Sequence, residues 1–186
     1  VAKAIGTAKF TDDLHFEGML FARVLRAGIP SAILRGLDTT AAEQLSGVMA
    51  VLTAKDLQHE RLHGIYRRDW PILVGLGERV RYQGDAIAIV AAESQAIADE
   101  AIKLIKPEYE PRPVVSDPFK ARQPDAEQLH EGGNLLKHIY FKKGDIEIGF
   151  AESDVIIEHT FTTPFMEHLF MEPECSIAVP RDDGGL

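Results

Sequence analysis

The chain has 186 residues, with 20 Lys and Arg against 29 Asp and Glu, a formal net charge of −9 with His neutral. Hydrophobic content of 45% and charged content of 26% describe a globular chain with enough length to bury a core, which excludes a mainly disordered protein. So acidic a surface argues against nucleic acid or an anionic membrane as partner. The longest apolar run, Ala86–Ala92, falls far short of the about 20 residues that a bilayer span needs.

In chain order, Leu20–Ala27 mixes apolar and basic positions in a strand-like way, and Gly28-Ile29-Pro30-Ser31 supplies turn chemistry. Thr40-Ala41-Ala42-Glu43 has capping-box spacing and predicts a short helix to about Leu45. Val48–Leu52 is apolar throughout, which predicts a strand covered on both faces. Ala86–Ala92 predicts a buried strand. Ser94 then caps a helix with Ile97, Ala101, Leu104 and Ile105 on one stripe, and Pro107 ends it. Glu108–Pro111 reads as an extended edge segment. Pro111, Pro113, Pro118 and Pro124 block helix and central strand alike, so residues 117–134 read as a linker between residues 1–116 and 135–186. Asp145 is positioned to cap a short helix through Phe150. Asp154–Thr163 alternates as a one-sided strand, and Cys175–Pro180 is a second strand candidate. Asp182-Asp183-Gly184-Gly185 is a turn with only Leu186 after it. A hairpin turn without a return strand leaves unpaired backbone groups, which implies a chain cut from a longer polypeptide.

The chemistry-bearing motifs are few. Cys175 is the only cysteine, so an internal disulfide, a four-Cys zinc site and a cluster held by this chain alone are excluded, and a reducing, cytoplasmic compartment is implied. His59-Glu60-Arg61-Leu62-His63 matches HExxH, in which two His one helical turn apart ligate zinc and the Glu activates water. Its surroundings read as loop, Gly64 weakens helix continuation, and no third ligand follows at a convincing spacing. A polar surface loop is the blander reading. Glu167-His168 with Glu172 lies between Pro164 and Pro173, and reads as hydrogen-bonded polar residues at a domain junction. Gly75-Leu76-Gly77 lacks the rest of a phosphate loop, and Ser31 and Ser46 lack a neighbouring base. Arg67-Arg68 is a small basic step, and Phe165, Met166, Phe170 and Met171 read as core.

An ordered series of short matches carries a specific resemblance. It runs from Gly6–Asp13 through Gly47-Val48 and Val51–Asp56 to Val80-Arg81-Tyr82 with Gly84-Asp85. Glu108–Pro111, His130-Glu131 with Asn134, Gly144-Asp145, Phe150-Ala151 with Asp154-Val155, and His168 with Glu172-Pro173 complete it. Together they resemble the opening of the large, molybdenum-binding subunit in the xanthine dehydrogenase and aldehyde oxidase family.

The resemblance implies an α+β fold: an α/β-hammerhead domain over residues 1–116, then the first strands of a molybdenum-cofactor-binding domain from about Leu135. It implies oxidative hydroxylation of a purine-like heterocycle or an aldehyde, with water as oxygen source and molybdopterin as cofactor. Iron–sulfur clusters and FAD would sit on partner domains or subunits. The family's catalytic glutamate and glycine-rich cofactor loops lie downstream of this segment. No catalytic, cofactor-binding or metal residue is therefore assigned, Glu131 and Glu172 included. The chain alone is expected to be an inactive scaffold. The competing readings are an autonomous hammerhead binding module and, less favoured, a zinc hydrolase using His59, Glu60 and His63. Exposed apolar surface is expected around Ile156 and Cys175–Val179, with a homo-oligomer as one way to cover it.

Overall fold

The computed structural model describes residues 1–169 and 174–185. They form two compact units, Gly18–Ile139 and a second made of Val1–Glu17 with Tyr140–Leu186.

In the larger unit, β1 (Phe21–Arg26), β3 (Val48–Leu52) and β7 (Ala86–Ala92) make an antiparallel sheet with β7 in the centre. β7 is central because it is apolar on both sides. Ile87, Ala88, Val90 and Ala92 are fully buried, and each large side chain so buried contributes about 1.5–3 kcal/mol. Helix α2 (Gln95–Leu104) follows immediately, capped by the Ser94 hydroxyl, which accepts the Ile97 N–H at 3.3 Å. Its small buried residues Ala98 and Ala101 let it lie close against the sheet. Ala101 and Ile105 share a core cluster with Ala42, Ala88 and Val90. Helix α1 (Thr40–Glu43) has the predicted position, but its cap is shifted. The Asp38 carboxylate accepts the Thr40 N–H at 3.0 Å, and the Glu43 carboxylate accepts the Thr39 hydroxyl at 2.6 Å.

A second sheet orders β6 (Arg79–Val80), β2 (Ala32–Asp38) and β8 (Lys106–Pro111). β2 was not foreseen, because Arg35 and Gly36 interrupt its apolar pattern; pairing with β8 on one side and β6 on the other makes it a strand. Pro107 and Pro111 are tolerated because β8 is an edge strand, as the sequence predicts. Leu34, Val74, Val80 and Ile87 form the cluster beneath. A third, minimal sheet pairs β4 (Leu62–His63) with β5 (Trp70–Pro71).

Several expectations need correction. β3 is an edge strand with Met49 and Leu52 exposed, so only one of its faces is covered. The proline-rich stretch holds a one-turn helix, α3 (Pro118–Ala121). Proline at the first helical position forfeits no hydrogen bond, and the Asp117 carboxylate accepts the Phe119 and Lys120 N–H groups. In the smaller unit, Asp154–Thr163 and Cys175–Pro180 are not strands: among the described residues no backbone pairs with them, and alternation without a neighbour makes no ladder.

The short helix and the terminal turn expected in the smaller unit are present. Asp145 caps α4 (Ile146–Ala151), accepting the N–H groups of Glu147 and Ile148. A turn closes at Gly184, where φ is +81°. Phe165 and Met166, read as core, are fully exposed, whereas Ile156 and Val179 are exposed as expected. Phe170, Met171, Glu172 and Pro173 lie outside the described residues.

Candidate functional site

One polar cluster in the larger unit is organised by a buried carboxylate. Asp85, 3% exposed, precedes β7 and faces back across the Arg81–Gly84 turn. Its Oδ2 accepts the backbone N–H groups of Arg81 at 2.6 Å and Tyr82 at 3.3 Å, and its Oδ1 accepts the Trp70 indole N–H at 3.0 Å. Trp70 is thereby held edge-on to Tyr82, with ring centroids 5.7 Å apart, and the Arg81 guanidinium lies 5.7 Å from its ring centre.

A second set of contacts joins the loop between β4 and β5 to residues 129–135. His130 Nδ1 meets Asp69 Oδ2 at 2.7 Å. The His130 contact, with the Arg81 and Arg67 charges nearby, holds the Asp69 carboxyl below its ordinary value. The Arg67 guanidinium donates to the carbonyls of Glu131, Gly133 and Leu135. Arg81 donates to the Asp69 and Leu129 carbonyls at 2.7 and 3.0 Å. The Asn134 side chain closes the segment on itself, donating to the carbonyls of Ala121 and Glu127 and accepting the Leu129 N–H. Arg79 adds a salt bridge to Glu127 at 2.7 Å.

Between the loop and this segment lies a cavity of about 410 Å³, whose walls include His63, Tyr66, Trp70, His130 and Leu136. Of the residues weighed from sequence, His63, Arg67, His130 and Asn134 are gathered here. The HExxH residues are not brought together as a zinc site. Leu62–His63 is strand rather than helix, Glu60 pairs with Arg68 at 3.0 Å, and Arg61 pairs with Glu78. The register that places two His on one helical face is absent, which corrects the zinc-hydrolase reading. Ser31 is buried and accepts from Arg79, and Gly75 lends its N–H to Glu78. Asp69, Trp70 and Asp85 were missed as a group, although Gly84-Asp85 was singled out. An isolated aromatic and two aspartates at irregular spacing carry no periodic signal.

Residues 5–113 match the family described as aldehyde oxidase and xanthine dehydrogenase, a/b hammerhead domain. The chain belongs to the aldehyde oxidase and xanthine dehydrogenase family. Residues 129–186 match the molybdopterin cofactor-binding domain. A probable xanthine dehydrogenase subunit of Bacillus subtilis is 45% identical over 183 residues, which cover 98% of this chain and 24% of that protein. The xanthine dehydrogenase molybdenum-binding subunit of Escherichia coli O157:H7 is 32% identical over 98% of this chain and 25% of that protein. Among solved structures, aldehyde oxidoreductase from Desulfovibrio gigas superposes with a TM-score of 0.69 at 31% identity, covering 83% of this chain and 18% of that one. The chain thus spans about a quarter of the length of these two curated relatives.

The hammerhead match contains Arg67, Asp69 and Arg81, and the cofactor-domain match begins at the segment they grip. The Asp69–His130 and Arg67 contacts are therefore a clasp between the hammerhead and the opening residues of the cofactor-domain match.

Proposed function

We propose that this chain is the amino-terminal part of the large subunit of a molybdenum hydroxylase resembling xanthine dehydrogenase. The intact enzyme would hydroxylate a purine-like heterocycle or an aldehyde with oxygen from water. The reading rests on one observation: hammerhead and cofactor-domain matches follow one another in a chain 45% identical to a probable xanthine dehydrogenase subunit over 98% of its length.

Molybdopterin with molybdenum would supply the redox chemistry, and iron–sulfur and FAD domains or subunits would carry electrons away. The described residues offer no protein ligand set for a molybdenum ion. Among the described residues no three His, Cys, Asp or Glu converge as metal ligands, and the side chains of residues 140–169 are exposed. We place no catalytic, cofactor-binding or metal role on this chain, because in the family it resembles those groups lie downstream of this segment.

Its part is positional. Arg67, Asp69 and Arg81 hold residues 129–135 in one register against the hammerhead. Among the described residues no helix is long and apolar enough to cross a membrane. The cytoplasmic setting we propose rests on the cysteine usage, a single Cys175.

The test compares the 186-residue chain with the gene product extended to the length of its relatives and purified with its partners. Molybdenum and heterocycle or aldehyde oxidation are expected in the extended form alone. Turnover by the chain without partners, or an extended product that carries no molybdopterin, would sink the proposal.

A further inference from the structure

We propose that the uncovered face of the β1–β7–β3 sheet seats an apolar segment of the same polypeptide lying beyond residue 186. This rests on the reading above in one respect, that the subunit continues, and goes beyond it by naming the face that later residues cover.

Helix α2 occupies one face of the sheet. Arg23 Nε of β1 donates to Asp99 of α2 at 2.6 Å, and Leu25, Val48 and Val51 pack with Ala88, Val90 and Ala101. Alternation and register then fix the opposite face. Ala22, Ala91 and Ala50 stand in one cross-strand row, and Val24, Ile89 and Leu52 in the next. Val24 is 37% and Leu52 40% exposed, and Met49, at the bulge of β3, is 60% exposed. An antiparallel sheet with a solvated outer face alternates apolar inside and polar outside. None of these six outer positions is polar or charged. The same fact made β3 read from sequence as covered on both faces, whereas the described residues cover one.

Size and chemistry choose the occupant. Three strands spaced as in any sheet, with two outer rows of side chains, present about 200 Å². A stable interface between separate molecules needs about 800 Å² from each partner, so this face alone holds neither a second copy nor a partner subunit. A segment of the same polypeptide is already tethered, and it gives up less translational and rotational freedom on docking. With no charge on the face, a polar partner finds no hold there, and an apolar segment forfeits no hydrogen bond. Chain length is at hand to supply it: the 183 matched residues are only 24% of the Bacillus subtilis relative.

The extended gene product, purified with its partners, is grown with photo-leucine, whose diazirine keeps the side chain near its natural size, and irradiated. Tandem mass spectrometry places the links made from Leu52. They are expected to reach residues beyond 186, in a product with the mass of a single subunit. In parallel, Val24→Cys, a change at an exposed position of edge strand β1, is treated with a maleimide and read by peptide mapping, which separates it from Cys175. Its reaction should be at least about tenfold slower in the extended form than in the 186-residue chain. Links from Leu52 to a partner subunit alone, links only in products of two-subunit mass, no link beyond residue 186, or equal Val24→Cys rates would each overturn the inference. Molybdopterin content of the same sample separates the two proposals. Equal rates in a product that carries molybdopterin sink this inference alone. Slowed labelling with the expected links in a product lacking molybdopterin sinks the hydroxylase reading and leaves the seat standing.

Discussion

Replacing Asp85 by alanine removes the acceptor that three N–H groups share. Two of the bonds are short, to Arg81 N at 2.6 Å and to the Trp70 indole at 3.0 Å, and the third, to Tyr82 N, is long at 3.3 Å. A hydrogen bond to a charged group is worth about 1.5–3 kcal/mol, so the two short bonds set the scale. The carboxylate is only 3% exposed, so water reaches the orphaned donors poorly. We expect Asp85→Ala to cost about 3–5 kcal/mol, the two bonds less some relief by water entry. Asp85→Asn preserves shape and one acceptor oxygen, but turns an amide NH₂ toward donors; about 1.5–3 kcal/mol should be lost.

The assay is urea unfolding at neutral pH, followed by Trp70 emission and by circular dichroism. The order wild type, Asn, Ala in falling midpoint is the expected result. An Asp85→Ala midpoint within about 0.5 kcal/mol of wild type, the range of an ordinary surface change, would refute the idea that this carboxylate organises the cluster.

The Asp69 pKa is depressed in the folded state, chiefly by its contact with His130, so its stabilisation is present above the ordinary value of 3.8 and is lost as pH falls through the depressed folded value. Unfolding midpoints measured down to strongly acid pH should fall in that window, and less steeply in Asp69→Asn; identical acid limbs would count against the clasp. Gly64 has φ +146°, and a Cβ there would overlap the Arg67 carbonyl oxygen. Gly64→Ala should therefore cost about 2–3 kcal/mol in thermal unfolding, against about 1 kcal/mol for Gly18→Ala, where φ is +70° and space is open. Equal costs at the two sites would show that the β4–β5 loop yields easily. Ser94→Ala removes the cap of α2 and should lower stability by about 1 kcal/mol, with Ser94→Asp largely restoring it. No change on Ser94→Ala would mean that packing alone holds that helix end.

Much of the larger unit was legible before folding was considered. Ala86–Ala92, the Ser94 cap and the Ile97–Ile105 stripe are local patterns, and local patterns act through a few neighbouring residues. β2 was not legible, since Arg35 and Gly36 break its pattern and only β6 and β8 beside it make it a strand. The strand expected over Asp154–Thr163 failed for the converse reason. Its alternation is clear, yet a ladder needs a second backbone, and none of the described residues supplies one.

The site divides along the same line. Gly84-Asp85, His130-Glu131 and Asn134 were legible as matches in a family resemblance, which implies that the reactive group lies outside this chain. What those residues do came only with three dimensions. Asp85 meets Trp70 across 15 positions, Asp69 meets His130 across 61, and Arg67 meets Leu135 across 68. The amino-acid order by itself determined the elements whose capping and periodicity are satisfied within a turn or two. The tertiary structure alone decided which distant polar groups share a buried acceptor, because that pairing depends on where the chain returns rather than on what stands beside a residue in sequence.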